Sequence, residues 1–319
     1  MDACSRKHSD LNVERWAFSA LVSGRRGLHE GLQICKGWVA QLAEQWTENP
    51  RVAGSIPAPA TLWPRSMPSH STKYDWKDAG EEWSEPWGSS AAQWSGTILP
   101  RIRDYLPTGT ILEIAPGFGR WTHYLKDYCQ GLWAVDASSE CIEACSRRFT
   151  AQSHVHCYRN DGRSLSMIPD ASVDFVFSFD SFVHLPREIV EAYLSELART
   201  LKIGGRGFIH HSNLGAYAGS LSERVPEPMR KVLRKIKILD WEHHRNPTMS
   251  ADVFRSLCAR TGLNCISQEL INWRGRRLID CLSLFERDGS TENTSTKIVR
   301  NPRFMREAAR IRRQWRTQT

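Results

Sequence analysis

Between residues 110 and 286 the chain alternates short apolar runs with amphipathic stretches. The apolar runs predict strands at 110–115, 131–136, 154–158, 173–179, 206–212, 264–273 and 278–286. The stretches between them predict helices at 119–128, 138–149, 187–201 and 250–261. Because strands that alternate with helices form βαβ units, we predict an α/β fold with a doubly wound, mostly parallel sheet of seven strands.

The last two predicted strands differ from the others in their connection. They are joined only by Arg274 to Arg277, which is too short for a crossover helix. We therefore expect an antiparallel hairpin at the C-terminal end of the sheet.

The composition is that of an ordinary globular protein, and it limits the class of function. Of the 319 residues, 40% are apolar and 24% charged, and no run approaches the roughly 20 apolar residues of a membrane span. The nine cysteines form no CxxC pair, which argues against a zinc cluster and against a disulfide framework. The opening MDACSRKHSD lacks the apolar core of a secretory signal. We expect a protein of the reducing cytoplasm.

The first 66 residues have a different character from the rest. Residues 38–61 show neither helical nor strand periodicity. Back-translated with permitted codons, Trp46 to Pro50 resembles a tRNA anticodon arm and Gly54 to Pro57 resembles a T-arm. We expect residues 1–66 to be either a translated tRNA gene or a disordered leader, outside the fold in both cases, with the functional chain starting near Met67.

The remaining chain divides into four parts. Residues 67–107 form a tryptophan-rich segment that we expect to be an N-terminal lid, with a short helix near 98–105. Residues 108–287 carry the alternating pattern, which a basic insertion interrupts at 214–249. Residues 288–319 form a basic C-terminal tail.

The first predicted strand runs into the segment ILEIAPGFGRWTHYL, residues 111–125. A strand followed by Gly117 and Gly119 and then by a helix is typical of a loop that binds a nucleotide cofactor. A dinucleotide site would place a third small residue three positions after the second glycine, where this chain has Thr122. Pro116 also removes one backbone donor from the loop. The loop thus departs from a dinucleotide fingerprint.

Two carboxylates indicate which cofactor the loop holds. Glu113, near the end of the first strand, is poorly placed for a pyrophosphate and suits an ammonium group. Asp136 ends the second strand 23 residues later, where it can accept hydrogen bonds from both hydroxyls of a ribose. Glycines for close approach, one acid for an ammonium and one acid for a ribose predict S-adenosylmethionine.

Five segments in this order, LEIAPGFGR, AVDAS, RNDGRSL, VDFVFSFDSFVHL and LKIGGRGFIHHSN, resemble the class I S-adenosylmethionine-dependent methyltransferases. The resemblance covers about residues 108–286 and implies the Rossmann-like methyltransferase fold. It implies cofactor contacts from Glu113, Ala115, Gly117 and Gly119 to the methionine and ribose part, from Asp136 and Ala137 to the ribose, and from Asp161 and Gly162 to the adenine. Ala115-Pro116 stands where many members have glycine.

Two of these acids also have ordinary structural interpretations. Asp136 could be an acid at a helix N-terminus, and Asp161 could form an Asx turn before Gly162. The sequence leaves both alternatives open.

The acceptor chemistry is expected at the carboxyl ends of the fourth and fifth strands. The fourth ends in SFDSFVHLP, which supplies Asp180 and His184, and the fifth ends in FIHHSN, which supplies His210 and His211. An alcohol acceptor needs a base, and histidine is best matched to neutral pH. We predict that His184 is the general base, that Asp180 orients it, binds the acceptor or ligates a metal, and that His211 is the further catalytic candidate.

A divalent metal is a second possibility for this cluster. Asp180 matches a position at which some sugar O-methyltransferases hold a metal ion. The fifth strand offers histidines rather than acids, which disfavours magnesium. Each histidine could equally be a buried core or capping residue.

The acceptor is expected to be a small molecule or a glycan. Trp76, Trp83, Trp87 and Trp94 could stack on sugar rings, or they could be the packing of a small lid. The general appearance of the chain resembles glycan and sugar O-methyltransferases. A lipid-linked acceptor is the main rival, because the basic stretch 297–316 could contact an anionic membrane.

The net charge of +8 and the basic stretches 230–237 and 303–316 keep an RNA methyltransferase open as a further alternative. No RNA-binding module and no Asn-Pro-Pro-Tyr-like element accompany them, so nucleic acid is the less favoured partner. A non-catalytic scaffold that binds the cofactor is a third possibility.

Overall fold

The computed structural model describes residue 76 and residues 78–218, 244–273, 275–289 and 295–317. All of these residues lie in one compact unit, Pro68–Thr319. The expectation for residues 1–66 and most of the expected insertion at 214–249 fall outside the described residues.

Eight strands of the described residues form one sheet in the order β3-β2-β1-β4-β5-β7-β6-β8. They are β1 Thr108–Ile114, β2 Cys129–Asp136, β3 Val155–Arg159, β4 Val173–Ser178, β5 Leu201–Ser212, β6 Asn264–Ile271, β7 Asp280–Glu286 and β8 Lys297–Asn301. The first five are parallel, with β1 between β2 and β4. The chain order therefore reverses at β1, which places the carboxyl ends of β1 and its neighbours beside one crevice.

Three of the four longer helices among the described residues match predicted ones, the fourth lies in the expected tail, and the helix expected at 119–128 is two short pieces. The longer helices are α1 Ser139–Arg148, α2 Arg187–Thr200, α3 Ala251–Thr261 and α4 Phe304–Arg316. Shorter helical pieces occur at Glu81–Trp87, Ser90–Gln93, Trp94–Ile98, Leu99–Ile102, Arg103–Tyr105, Thr122–Leu125, Lys126–Tyr128 and Leu214–Tyr217. Serine side chains cap α1 and α3: Ser138 accepts from the Cys141 N–H and Ser250 from the Val253 N–H.

The α/β fold and the antiparallel C-terminal hairpin are confirmed. Strand β7 pairs antiparallel with both β5 and β6. The expected seven strands become eight, because β8 adds to β6 in parallel from within the predicted tail. Strand β8 lies at the sheet edge, where its first four residues are exposed. Without a buried face it lacks the apolar run from which the other strands were predicted.

Each face of the sheet has its own apolar layer. On one face, Phe177 and Phe208 pack with the tryptophan-rich segment and with Phe304 of α4. On the other face, Val176 and Ile209 pack with α2 and α3. Successive residues of a strand point to opposite faces, so neighbouring positions on β5 enter different layers.

The tryptophan-rich segment lies against the first of these layers. Trp87 is fully buried, and its indole N–H donates to the Thr97 hydroxyl at 2.7 Å. Trp94 is also buried and stacks on Tyr124 with ring centroids 5.3 Å apart. These two rings therefore serve packing. Within the described residues, no helix combines the length and the hydropathy that crossing a membrane requires.

Candidate functional site

The loop after β1 is built around residues with positive φ. Ala115, Gly117 and Gly119 have φ of 59°, 58° and 82°. A Cβ on Gly117 would lie 2.7 Å from Cη2 of Trp76, and one on Gly119 would lie 2.4 Å from the Phe149 ring. Both glycines are thus required by conformation and by close packing. Ala115 adopts a conformation usually left to glycine, and its N–H donates to the Val135 carbonyl at 2.7 Å.

Glu113 lies directly before this loop and is almost completely buried. Its carboxyl accepts a hydrogen bond from the Thr122 hydroxyl at 2.6 Å. Burial raises the pKa of Glu113 to about 8, because the neutral hydroxyl of Thr122 does not compensate for the lost hydration. A buried carboxyl held by a neutral donor favours a cationic partner, and an ammonium group has the required charge.

Asp136 lies at the end of β2 and faces the same loop. Its carboxylate accepts from the Gly117 N–H at 3.3 Å and from the Ser138 N–H at 2.9 Å. Burial raises its pKa, although these backbone donors oppose the shift. The contact with Ser138 corresponds to the helix N-terminal alternative, and the contact with Gly117 joins Asp136 to the glycine loop. The ribose contact of Asp136 stays a prediction.

The third pair of predicted cofactor residues follows β3. Gly162 has φ 82°, and a Cβ there would lie 3.5 Å from the Cβ of Ala137, so the loops after β2 and β3 are adjacent. Asp161 is exposed, and its Oδ1 accepts from the Arg163 and Ser164 N–H groups. Burial alone would raise its pKa, but the hydrogen bonds from Ser164 and Arg163 together outweigh burial and lower it. Asp161 thus forms the Asx-type turn that the sequence left open.

Asp180 begins the acceptor side of the site, immediately beyond β4. It has φ 68° and a nearly buried carboxylate. Arg120 donates to Oδ2 at 2.6 Å, and His210 Nδ1 lies 3.2 Å from Oδ1. Burial alone would raise its pKa, but His210 and Arg120 outweigh burial and lower it to about 2. Asp180 is therefore ionised at neutral pH.

Further titratable and charged side chains contact one another in the interior beyond Asp180. His210 is fully buried, and its Nε2 lies 3.2 Å from Oδ2 of Asp280, an ionic contact without hydrogen-bond alignment. Burial lowers the pKa of His210, but the two aspartates raise it above its ordinary value. Arg245 donates to both oxygens of Asp280, at 2.8 and 2.7 Å. We call Arg120, Asp180, His210, Asp280 and Arg245 the buried charge network.

His184 lies beside this network on the turn after β4. Its side chain reaches solvent, and its Nδ1 lies 2.9 Å from the main-chain carbonyl of His244. Since a carbonyl only accepts, Nδ1 carries the proton and Nε2 of the neutral ring has a free lone pair. Partial desolvation lowers the pKa of His184, so the neutral form prevails at neutral pH. A residue with these properties can accept a proton.

His211 does not join this cluster. It lies on the opposite face of β5 from His210 and stacks on Phe254 with ring centroids 4.2 Å apart. Its Nδ1 and Nε2 contact the Ser212 carbonyl and the Ser283 hydroxyl, and burial lowers its pKa to about 4. The structure thus places His211 in the core between β5 and α3. Asp180 does not orient His184 as predicted, because Asp180 contacts Arg120 and His210 while the His184 ring bonds to the His244 carbonyl.

The predicted residues missed part of this site. Arg120 is nearly buried and stacks over Trp121, with its guanidinium carbon 4.3 Å from the ring centroid. Asp280 is fully buried at the start of β7. The available signal was the presence of charged residues next to strand ends, at position 120 after the glycine loop and at 280 within an apolar strand.

A metal ion does not fit this arrangement. Oδ2 of Asp180 is already paired with the cationic Arg120, and Oδ1 lies 3.2 Å from His210 Nδ1. In the part of the chain that the structure describes, no group of three or more His, Cys, Asp or Glu side chains is placed to hold a metal. We therefore derive no step through a metal.

Comparison with known proteins gives one family match. Residues 111–205, which include the glycine loop, Asp136, Asp161 and Asp180, match the family model described as a methyltransferase domain. Over these residues the chain is therefore similar to a methyltransferase domain.

Solved structures to which the chain is similar include a protein from Pyrococcus horikoshii OT3, at 18% identity and a TM-score of 0.45, covering 61% of this chain and 90% of that chain. Another is an S-adenosylmethionine-dependent methyltransferase from Clostridium acetobutylicum ATCC 824, at 14% identity and a TM-score of 0.45, covering 64% of this chain and 91% of that one. A third is geranyl diphosphate methyltransferase in complex with GPP and sinefungin, at 13% identity and a TM-score of 0.43, covering 59% and 76%.

Proposed function

We propose that this chain transfers a methyl group from S-adenosylmethionine to a hydroxyl oxygen of an acceptor, with His184 as the general base. The observation that carries the proposal is the hydrogen bond between His184 Nδ1 and the His244 carbonyl, at 2.9 Å. It fixes the neutral tautomer whose Nε2 accepts a proton. His244 has φ 57°, a conformation that is uncommon outside glycine and is found at strained functional positions.

The proposed cofactor residues are of two kinds, carboxylates that bind polar groups and small residues that shape the loop. The bound sulfonium would supply an activated methyl group, so the protein has to align the acceptor and remove its proton. Glu113 offers a buried carboxyl for the ammonium of the methionine part. Asp136 offers a carboxylate for the ribose hydroxyls, and Gly117 and Gly119 allow close approach of the backbone. Ala115, Ala137, Asp161 and Gly162 complete the proposed cofactor set.

Asp180 is proposed to position the acceptor. With a pKa near 2 it is a poor base, but its ionised carboxylate is a strong hydrogen-bond acceptor for a hydroxyl group. Arg120 and His210 hold it from two sides, so it cannot rotate freely. Asp180 would therefore orient the acceptor while His184 Nε2 takes the proton.

We further propose that the acceptor is a saccharide or glycan. Support comes from the aromatic surroundings of the site: the Arg120 guanidinium carbon lies 5.3 Å from the Trp83 ring centroid, and Trp76 is stacked on Phe118 at 4.4 Å. Both tryptophans keep part of their surface accessible, as stacking on a sugar ring would require. The buried Trp87 and Trp94 do not contribute to this argument.

The experiment is a screen for transfer of radiolabelled methyl from S-adenosylmethionine to mono- and oligosaccharides, with and without divalent ions. A lipid-linked saccharide and an RNA serve as the rival acceptors. His184→Ala should lower turnover at saturating donor and acceptor by roughly 10²- to 10⁴-fold while leaving cofactor affinity intact. The variant should also lack the acid limb of the pH–rate profile. In the wild type we expect the midpoint of this limb below the ordinary pKa of histidine, because burial lowers the pKa of His184.

His156→Ala is the matched control, because His156 is exposed on β3, away from the proposed acceptor side. Its turnover and pH profile should equal those of the wild type. Near-wild-type turnover of His184→Ala with an unaltered pH profile would show that His184 is not the base. Absence of labelled product with every acceptor would defeat the proposal as a whole.

A further inference from the structure

Helix α4 carries a row of exposed arginines on one side. Arg306, Arg310, Arg313 and Arg316 are all exposed, and so is Arg303 immediately before the helix. Their spacings of three and four residues place them on one face of an α-helix. We call these five side chains the arginine row. From Arg303 to Arg316 it is about 20 Å long at 1.5 Å per residue.

The opposite face of α4 is anchored in the protein. Phe304 and Ala308 are buried, and the Phe304 ring lies 5.9 Å from that of Trp87. A Cβ on Gly96 would come within 2.7 Å of the Ile311 side chain, so this side chain is packed closely against the tryptophan-rich segment. The arginine row is consequently held facing away from the core rather than free to fold inward.

The acid of this helix does not neutralise the row. Glu307 lies 3.9 Å from Arg101 and accepts from the side chain of Asn301, so its carboxylate is turned toward β8 and the preceding helical segment. All five positions of the row are arginine. The row therefore presents five positive charges along one side of α4.

The strand that leads into α4 adds an exposed surface of mixed character. Lys297, Ile298, Val299 and Arg300 of β8 are all exposed at the edge of the sheet. Ile298 and Val299 keep 48% and 43% of their surface accessible, which is high for aliphatic side chains. Because successive residues of a strand point to opposite faces, each face of β8 carries one basic and one aliphatic side chain, a combination typical of surfaces that contact the interface of a membrane.

We propose that the arginine row and β8 form a surface that binds an anionic phospholipid membrane. Anionic headgroups attract basic side chains near the bilayer surface, and each one strengthens binding. The apolar face of α4 is occupied by the protein core, so the helix lies on the headgroups without inserting. Binding is thus mainly electrostatic and salt-sensitive.

Single-stranded RNA is the partner that these observations favour less. Proteins that bind it combine positive charge with aromatic side chains on which the bases stack. The aromatic ring of α4 that could do so, Trp315, packs partly against the core. Tyr158, an exposed large aromatic side chain among the described residues, lies on β3, at the other edge of the sheet from β8.

The test measures binding of the full chain to vesicles of phosphatidylcholine alone and of phosphatidylcholine with about a third phosphatidylglycerol. The wild type should bind the anionic vesicles, and the affinity should collapse in high salt. The double variant Arg310→Gln with Arg313→Gln should weaken binding about 25-fold, because each arginine strengthens binding about fivefold and the two factors multiply. Arg147→Gln with Arg260→Gln is the control, because these exposed arginines lie on α1 and α3. It should bind as the wild type does.

A second variant tests the strand. Ile298→Ser with Val299→Ser should weaken vesicle binding while leaving its salt dependence in place. Equal losses in the arginine double variant and its control would mean that net charge, not this surface, governs binding. Failure to bind anionic vesicles at low salt, or binding of single-stranded RNA in preference to them, would overturn the proposal.

Discussion

The buried charge network makes a strong prediction for the variant Asp280→Asn. Asp280 is fully buried, contacts both the guanidinium of Arg245 and the ring of His210, and is nearly isosteric with asparagine. The substitution keeps the volume of the side chain, removes its charge and replaces one of the two oxygens that accept from Arg245 by an NH2 donor. Arg245, with 7% of its side chain accessible, is then left as a buried cation without its carboxylate.

The magnitude follows from the burial of both partners. Breaking a buried ion pair by removing one partner costs about 3 to 5 kcal/mol, because the remaining charge stays desolvated. We expect Asp280→Asn to lower the free energy of unfolding by this amount near pH 7. Urea unfolding followed by tryptophan fluorescence measures it, with the slope of the unfolding free energy expected to be unchanged.

The pH dependence gives an independent check. Burial alone would raise the pKa of Asp280, but Arg245 and His210 hold it well below the ordinary value. An acid with a lowered folded-state pKa contributes stability that is present above its unfolded pKa, about 3.9, and is lost as the pH falls below it. The difference in stability between wild type and Asp280→Asn should therefore shrink as the pH falls below about 4.

Glu143→Gln is the control, because its ion pair with Arg147 is exposed on both sides. Such a pair is worth about 0.5 kcal/mol or less, so this variant should unfold almost as the wild type does. If Asp280→Asn loses less than about 1 kcal/mol, or if the loss does not change between pH 7 and pH 3, the network does not hold its charges as the structure indicates.

Two further predictions concern the cofactor residues. Glu113→Gln should stabilise the ligand-free protein at pH 7 by at most about 3 kcal/mol. Burial raises the pKa of Glu113 to about 8, so Glu113 destabilises the folded protein as the pH rises above the pKa that this carboxyl has in the unfolded chain. The same variant should weaken S-adenosylmethionine binding about tenfold or more. Thermal unfolding tests the predicted gain in stability, and calorimetry tests the predicted loss of affinity; a change of the opposite sign in either would contradict the prediction. Asp136→Ala should weaken cofactor binding by about 1.5 to 3 kcal/mol, the worth of hydrogen bonds to a charged group. Unchanged affinity in calorimetry would remove Asp136 from the ribose site.

The sequence was a good guide to the strands because most of them are buried. Strand β4, with five of its six residues buried, and β7, with six of its seven, appear in the sequence as apolar runs. Strand β8 has no such signal, since its place is determined by pairing with β6 rather than by a buried face. Its pairing partner lies about 30 residues away in the chain, which a local pattern does not report.

The proposed cofactor residues could be grouped from the sequence, because they follow consecutive strands in short motifs. The buried charge network could not, since its members come from five separate segments and meet only in the folded sheet. Strand β7 brings Asp280 next to β5 by inserting between β5 and β6, and no local pattern reports that order. Pairwise contacts of this kind depend on topology rather than on spacing.

The two histidines of β5 show how a single position changes the role of a residue. Phe208 belongs to the layer that includes the tryptophans, and His210 lies two residues further along the same face. Ile209 belongs to the opposite layer, and His211 follows it there. The alternation of a strand would have assigned the two histidines to different faces. It could not say which face carries the chemistry.

The proposed division of labour between Asp180 and His184 follows from how each group is held. His210 and Arg120, which contact the two oxygens of Asp180, lower its pKa to about 2, so its charge is constant across the pH range in which the enzyme would work. His184 has a carbonyl as its partner, which fixes the tautomer without supplying a charge that would raise the pKa strongly. One group would thus position the acceptor at every pH and the other would titrate. A pH–rate profile with a single acid limb, removed by His184→Ala, is the behaviour that this arrangement requires.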